Sequence, residues 1–127
     1  MTHYDPEIPP DPATWLALDE QLRISLVERH HRDMRVKLPN VKLHASLQAV
    51  VENQIAEGLD PVVRAIARLM KQGLSRHDAL HAVASVVAEQ IFEATHTQDA
   101  ALAEAVPARY FAAVERLTAQ EWKRRYG

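Results

Sequence analysis

Two short segments of the chain place histidines and a carboxylate four residues apart, the spacing of about one helical turn. His44, Gln48 and Glu52 recur at this step in the first segment, and His77 and His81 in the second. Because residues four apart lie on the same face of an α-helix, each segment predicts a helix with metal-capable side chains on one face. The surrounding residues are strongly apolar, so these polar groups require either hydrogen-bond partners or a bound ion.

Imidazole nitrogens and carboxylate oxygens are ligands of zinc and of other divalent metals. Two histidines four residues apart on a helix project side by side and can bind one ion together. We therefore expect zinc or another divalent metal to be the cofactor, if the protein has one. The predicted ligands are His44, Glu52, His77 and His81, with Gln48 hydrogen-bonded behind them. A hydrogen-bonded network of the same side chains, without metal, is the alternative interpretation.

The pentapeptide from His77 to His81, HDALH, differs from the zincin motif H-E-x-x-H by an aspartate in place of the catalytic glutamate. The shorter side chain of Asp78 would leave its carboxylate out of position to activate a water molecule. Ser75 precedes Asp78 by three residues, a spacing that favours a role in capping the helix. A metal-dependent hydrolase stays an alternative function, and no catalytic residue is assigned.

Other histidines are weaker candidates for ligands. His30 and His31 are adjacent, so they point about 100° apart around a helix and cannot act as a ligating pair. We expect both to lie at a solvated helix end. His3 and His96 fall in predicted loops.

Composition excludes several classes of function. The chain has 127 residues and no cysteine, which excludes disulfides, thiolate-bound metals and cysteine nucleophiles. Its 15 basic and 17 acidic residues give a formal net charge of -2, which provides no field for binding nucleic acid or anionic lipid. The start of the chain lacks the features of a secretory signal, and no apolar run approaches the roughly 20 residues of a membrane span. A cytoplasmic location is the resulting expectation.

The elements that position these groups are predicted to be helices, because apolar residues recur with helical period and no strand-like alternation competes. Prolines at positions 6, 9, 10 and 12 predict an extended N-terminal arm over residues 1–11. We expect residues 12–127 to form a single domain. Its predicted fold is an all-α helical bundle of about five to six helices.

Capping residues and glycines predict where the helices begin and end. Asn40 and Ser75 are predicted N-caps, Asp11 and Asp60 are predicted caps followed by proline, and Gly58 and Gly73 close helices. The predicted elements are a short turn after position 11, helices at about 19–33, 41–58, 60–73 and 76–95, and a last helix from position 107. The helix at 76–95 is apolar around most of its circumference, which predicts that it is the most buried.

The predicted topology decides which side chains meet. If the helices at 41–58, 60–73 and 76–95 run up, down and up, the first and the third are parallel. His44 then faces His77 and His81 across the interface. Glu52 lies about 12 Å further along its helix than His44, so it reaches the same cluster only if the helices are offset or cross steeply.

The stretch from Leu43 to Gln90 resembles a family of small bacterial all-helical proteins of unknown function. The pattern of that family joins an H-x-x-x-H-x-x-x-E-x-Q helix to an R-H-x-x-x-H helix, and Gln48 stands where the pattern has its second histidine. The resemblance implies that the two motifs belong together and implies no established activity. The matching residues are His44, Gln48, Glu52, Gln54, Arg76, His77 and His81.

A protein interaction module or homo-oligomer without metal is a further alternative. Trp15, Tyr110, Trp122 and Tyr126 lie towards the two ends of the chain, and aromatic residues are enriched at protein interfaces. The same residues could equally complete the hydrophobic core. The sequence identifies no particular protein partner.

Overall fold

Helices form the whole regular structure of the part of the chain that the computed structural model describes, namely residues 1–33, 40–96 and 100–126 without the side chains of residues 94–107 and 126. The predicted all-α bundle is confirmed. The described ranges contain seven helices, more than the five to six predicted. They are α1 (Pro12–Ala17), α2 (Glu20–Asp33), α3 (Val41–Ala56), α4 (Asp60–Lys71), α5 (Arg76–His96), α6 (Ala100–Arg116) and α7 (Ala119–Tyr126).

The C-terminal part accounts for the difference in helix number. The predicted last helix is divided, because α6 ends at Arg116 and α7 begins at Ala119. The Thr118 hydroxyl accepts a hydrogen bond from the Glu121 N–H at 3.1 Å and so caps the new helix. The sequence TAQE at this point has the spacing of a capping box, which is the signal for the additional start. Pro107 lies inside α6 rather than at a helix start.

Three predicted N-caps are confirmed, at Asp11, Asn40 and Ser75. Their side-chain oxygens accept hydrogen bonds from the backbone N–H three residues later, at 3.0–3.1 Å. The predicted cap at Asp60 is wrong, because Asp60 is the first residue of α4 and Leu59 occupies the cap position. Gly58 and Gly73, which follow α3 and α4, have φ of 73° and 107°, the left-handed conformation that glycine adopts without strain.

α5 runs through the main hydrophobic core and packs against α3, α4 and α6. Ala79, Leu80, Ala82 and Val83 are fully buried, as the apolar circumference of this segment predicted. Full burial of a side chain such as Leu or Val stabilises a fold by roughly 1.5–3 kcal/mol. The packing of this helix therefore fixes the backbone of its first turns relative to the core.

A second core cluster joins the N-terminal segment to α1, α2 and α3. Tyr4 and Trp15 are almost completely buried, and their ring centroids lie 5.6 Å apart. The Trp15 indole N–H donates to the Asn53 side-chain oxygen at 2.9 Å. The segment over residues 1–11 thus contributes a core side chain to the folded structure.

The contacts between α3 and α5 differ from the parallel arrangement that the sequence predicted. His44, near the start of α3, stacks on His81, whereas Glu52, about two turns later, binds Arg76 at the start of α5. The contacts therefore run in opposite directions along the two helices. An up-down-up order makes the first and third helices parallel when the helices lie in a row, but here α3, α4 and α5 all pack against one another.

No helix in the described part of the chain is both long enough and apolar enough to cross a membrane.

Candidate metal centre

Three histidines from two helices converge beside the α2–α5 contact. His31 comes from the last turn of α2, and His77 and His81 come from the first two turns of α5. One ring nitrogen of each lies within 4.8 Å of those of the other two. The ring centroids are 4.4 Å apart for His77 and His81 and 5.7 Å apart for His31 and His81. The predicted pairing of His77 and His81 on one helix face is thus present, with a third imidazole from elsewhere.

His31 is fully buried, so the prediction of a solvated helix end at this residue is wrong. Val27 is buried one helical turn earlier, so His31 continues the inward face of α2. The four-residue spacing from Val27 is therefore the sequence signal that indicates an inward-facing His31. Adjacency prevents His30 and His31 from ligating one ion as a pair, but it leaves each free to meet another helix. His30 is half-buried, and its ring lies edge-on to that of His77 at 5.8 Å.

The N-terminal segment anchors the helix start that carries His77. The Glu7 carboxylate accepts hydrogen bonds from the backbone N–H groups of Arg76 at 2.9 Å and His77 at 3.1 Å. The Ser75 hydroxyl accepts from the N–H of Asp78 at 3.1 Å. These bonds satisfy three of the N–H groups that a helix start leaves without partners, and they place negative charge at the positive end of the helix dipole. The first turn of α5 is therefore fixed from two sides.

A backbone contact defines the protonation of the His31 ring. Its Nδ1 lies 2.9 Å from the Val27 carbonyl oxygen, which can only accept a hydrogen bond. Nδ1 must therefore carry the proton, and in the neutral ring Nε2 keeps its lone pair. That Nε2 lies 3.5 Å from Nε2 of His81. A backbone carbonyl that holds one ring nitrogen while the other faces an ion is a common arrangement for metal-binding histidines.

Burial keeps two of the imidazoles, His31 and His81, in the form that can bind a metal. Loss of solvent, together with the neighbouring imidazoles of His77, His31 and His44, lowers the pKa of His81 to about 3. Loss of solvent also lowers the pKa of His31. Because a protonated imidazole has no free lone pair, these shifts favour the ligating state near neutral pH. His77 Nε2 is buried and has no hydrogen-bond partner among the described residues.

Glu52 binds Arg76 and is not a member of the three-histidine group. Its two carboxylate oxygens accept from the two terminal nitrogens of the Arg76 guanidinium, each at 2.8 Å, and both side chains are almost completely buried. The Tyr4 hydroxyl donates to the same carboxylate at 2.5 Å. Arg76 also donates to the Pro6 carbonyl at 2.9 Å. The predicted carboxylate ligand is therefore engaged in a buried ion pair.

Gln48 lies behind that ion pair rather than behind the imidazoles. Its side-chain amide donates to the Tyr4 hydroxyl at 3.0 Å. Burial, with the adjacent charge of Glu52, raises the pKa of Tyr4 well above its ordinary value. His44 lies outside the group of three, but its ring stacks on His81 with centroids 6.5 Å apart. Of the predicted ligands, His77 and His81 therefore come together, His44 adjoins them and Glu52 is turned to Arg76.

Of the four aromatic residues that could form a protein interface, three pack in or against the hydrophobic core. Trp15 and Tyr110 are buried in the two core clusters, and Trp122 is half-buried against the main core. Burial raises the pKa of Tyr110 to about 12, and its hydroxyl donates to the Gln54 side chain at 2.6 Å. The side chain of Tyr126 lies outside the described residues.

The chain was compared with protein-family models, with curated proteins and with solved structures, and none of the three comparisons finds a match.

Proposed function

We propose that this protein binds a divalent metal ion, with zinc as the favoured ion, through His31, His77 and His81. The observation that carries the proposal is the convergence of their ring nitrogens within 4.8 Å, together with the buried Nε2 of His77 that lacks a hydrogen-bond partner among the described residues. A hydrogen-bonded network would pair these nitrogens. The contact between His31 and His81 is instead long for a hydrogen bond, at 3.5 Å.

The same separation suits a shared metal ion. In a tetrahedral zinc site with bonds of about 2.0–2.1 Å, the ligand atoms lie about 3.3 Å from one another. The Nε2 atoms of His31 and His81 are 3.5 Å apart, so they need almost no adjustment. His77 is one helical turn from His81 and can complete the site by side-chain rotation. A set of neutral imidazoles favours zinc and similar transition metals over magnesium or calcium, which prefer oxygen ligands.

Three protein ligands leave a fourth coordination position. Structural zinc sites in proteins usually have four protein ligands, whereas sites that bind water or a small ligand have three. The arrangement therefore favours an ion that is accessible to exogenous molecules.

Metal analysis of protein without an affinity tag tests this proposal. Protein dialysed against zinc and then against buffer should retain one zinc per chain by mass spectrometry. His31→Ala should abolish zinc retention, because it removes one of the three proposed ligands. His44→Ala should retain the full stoichiometry, and so should His3→Ala at an exposed position. Wild-type protein without bound zinc, or His31→Ala with unchanged zinc, would refute the proposal.

A further inference from the structure

A cleft opens beside the three-histidine group and shares His81 with it. The cleft has a volume of about 380 Å³. Ala84 and Ala88 follow His81 by three and seven residues, so all three lie on one face of α5 and line the cleft. Leu47 of α3 and Trp122 of α7 form further parts of its wall. The volume is at the lower end of the roughly 300–1,000 Å³ of small-molecule sites, and the lining is mainly apolar.

The proposed metal ion has a charge that its protein ligands do not balance. Three neutral imidazoles leave the charge of a divalent ion intact. The ligand group found among the described residues contains no carboxylate. Glu52, the buried carboxylate of α3, is already neutralised by Arg76. A negatively charged oxygen is therefore the favoured fourth ligand.

We propose that the cleft binds a small monocarboxylate with an apolar tail, an inference that rests on the metal site proposed above. The carboxylate occupies the fourth coordination position, and the tail lies against Ala84 and Ala88. The ring of His44 lines the cleft beside His81 and can donate a hydrogen bond to the carboxylate.

The far part of the cleft argues against a second acidic group on the ligand. Glu89 also lines the cleft, and its carboxylate is ion-paired with Arg125 at 2.9 Å. Because Arg125 is already ion-paired with Glu89, a second carboxylate on the ligand would meet the like charge of Glu89. A monocarboxylate is therefore favoured over a dicarboxylate.

Calorimetric titration with four simple probes tests the inference. Hexanoate has both the carboxylate and the apolar tail, and acetate has only the carboxylate. Hexanol has only the tail, and adipate adds a second carboxylate. Zinc-loaded protein should bind hexanoate at least tenfold more tightly than each of the other three probes. It should also bind hexanoate at least tenfold more tightly than zinc-free protein does.

A cavity-filling substitution separates binding in the cleft from binding to the metal alone. Ala88→Leu should weaken hexanoate binding at least tenfold while zinc stoichiometry stays at one per chain. Ala67→Leu makes the same change at an exposed position of α4 and should have no effect. If Ala88→Leu fails to retain zinc, Ala88→Val takes its place.

The outcomes distinguish the two proposals. If the wild-type protein binds no zinc, the metal site is overturned and this inference with it. Bound zinc with equal affinity for acetate and hexanoate, or with hexanoate binding that Ala88→Leu leaves unchanged, overturns the cleft alone. Bound zinc with a tail-dependent, Ala88-sensitive affinity supports both.

Discussion

The buried ion pair between Glu52 and Arg76 leads to a strong prediction about stability. Both side chains are nearly inaccessible to solvent, at 1% and 3% exposure, and are joined by two hydrogen bonds of 2.8 Å. Glu52→Gln removes the negative charge while keeping the size of the side chain. The Arg76 guanidinium then stays buried with the Pro6 carbonyl but without an opposite charge. Leaving one member of a buried pair without its partner costs about 3–5 kcal/mol.

This loss is large compared with the stability of a small domain, which is roughly 5–15 kcal/mol. Urea unfolding followed by tryptophan fluorescence measures it directly, since Trp15 is buried in the neighbouring core cluster. With a slope of about 1.5 kcal/mol per molar urea, the midpoint should fall by about 2–3 M. The slope itself should not change, because the native fold is retained.

A matched control uses the same substitution in an exposed ion pair. Glu115 pairs with Arg64 at 3.3 Å, and both side chains are more than half exposed, at 54% and 59%. Glu115→Gln should cost less than about 1 kcal/mol, since solvent screens exposed pairs. The reasoning about the buried pair is refuted if Glu52→Gln shifts the midpoint no more than Glu115→Gln does.

Three further outcomes follow from the same contacts. In metal-free protein, the pKa of His81 is lowered from 6.5 to about 3, so the folded state binds fewer protons than the unfolded state between these values. The stability that this group contributes is complete above pH 6.5 and falls by up to about 1.4 kcal/mol per pH unit as the pH drops. Urea midpoints from pH 7 to 5 should show this fall, and His81→Gln should flatten it; equal slopes in both proteins would contradict the assignment. Tyr4→Phe removes a hydroxyl that donates to Glu52 and accepts from Gln48, and should cost about 1–3 kcal/mol by the same assay; a loss below 0.5 kcal/mol would show that the bonds contribute little. Zinc at 100 times its dissociation constant should stabilise the wild type by about 2.7 kcal/mol and leave His31→Ala unchanged in thermal unfolding, whereas equal stabilisation of both would place the ion elsewhere.

Local features of the fold could be predicted from the sequence because their causes are local. Asn40 and Ser75 bind backbone groups only three residues away, so the residue types alone predict helix starts. His77 and His81 meet because they lie on one helix face. The division between α6 and α7 was missed although Thr118 and Glu121 carry a local signal.

The rest of the site depends on contacts between distant parts of the chain. His31 reaches His81 across 50 residues, and Arg76 reaches Glu52 across 24. Helical periodicity shows that such side chains face inward, but it does not select their partners. His44 and Glu52 share a face of α3, yet two turns of helix bring one to His81 and the other to Arg76. The partner of each side chain therefore depends on its position along the helix as much as on the face that it occupies.

The first few residues of the chain anchor the start of α5, the helix that carries two of the three histidines. Tyr4, Pro6 and Glu7 each bind either the opening turn of α5 or the carboxylate that holds Arg76. Trimming the chain at residue 8, or pulling its beginning outward with a bulky fusion, would release that turn and loosen the spacing of His77 and His81. The affinity for the proposed metal ion should consequently be sensitive to any segment attached before residue 1. A purification tag is therefore better placed after residue 127.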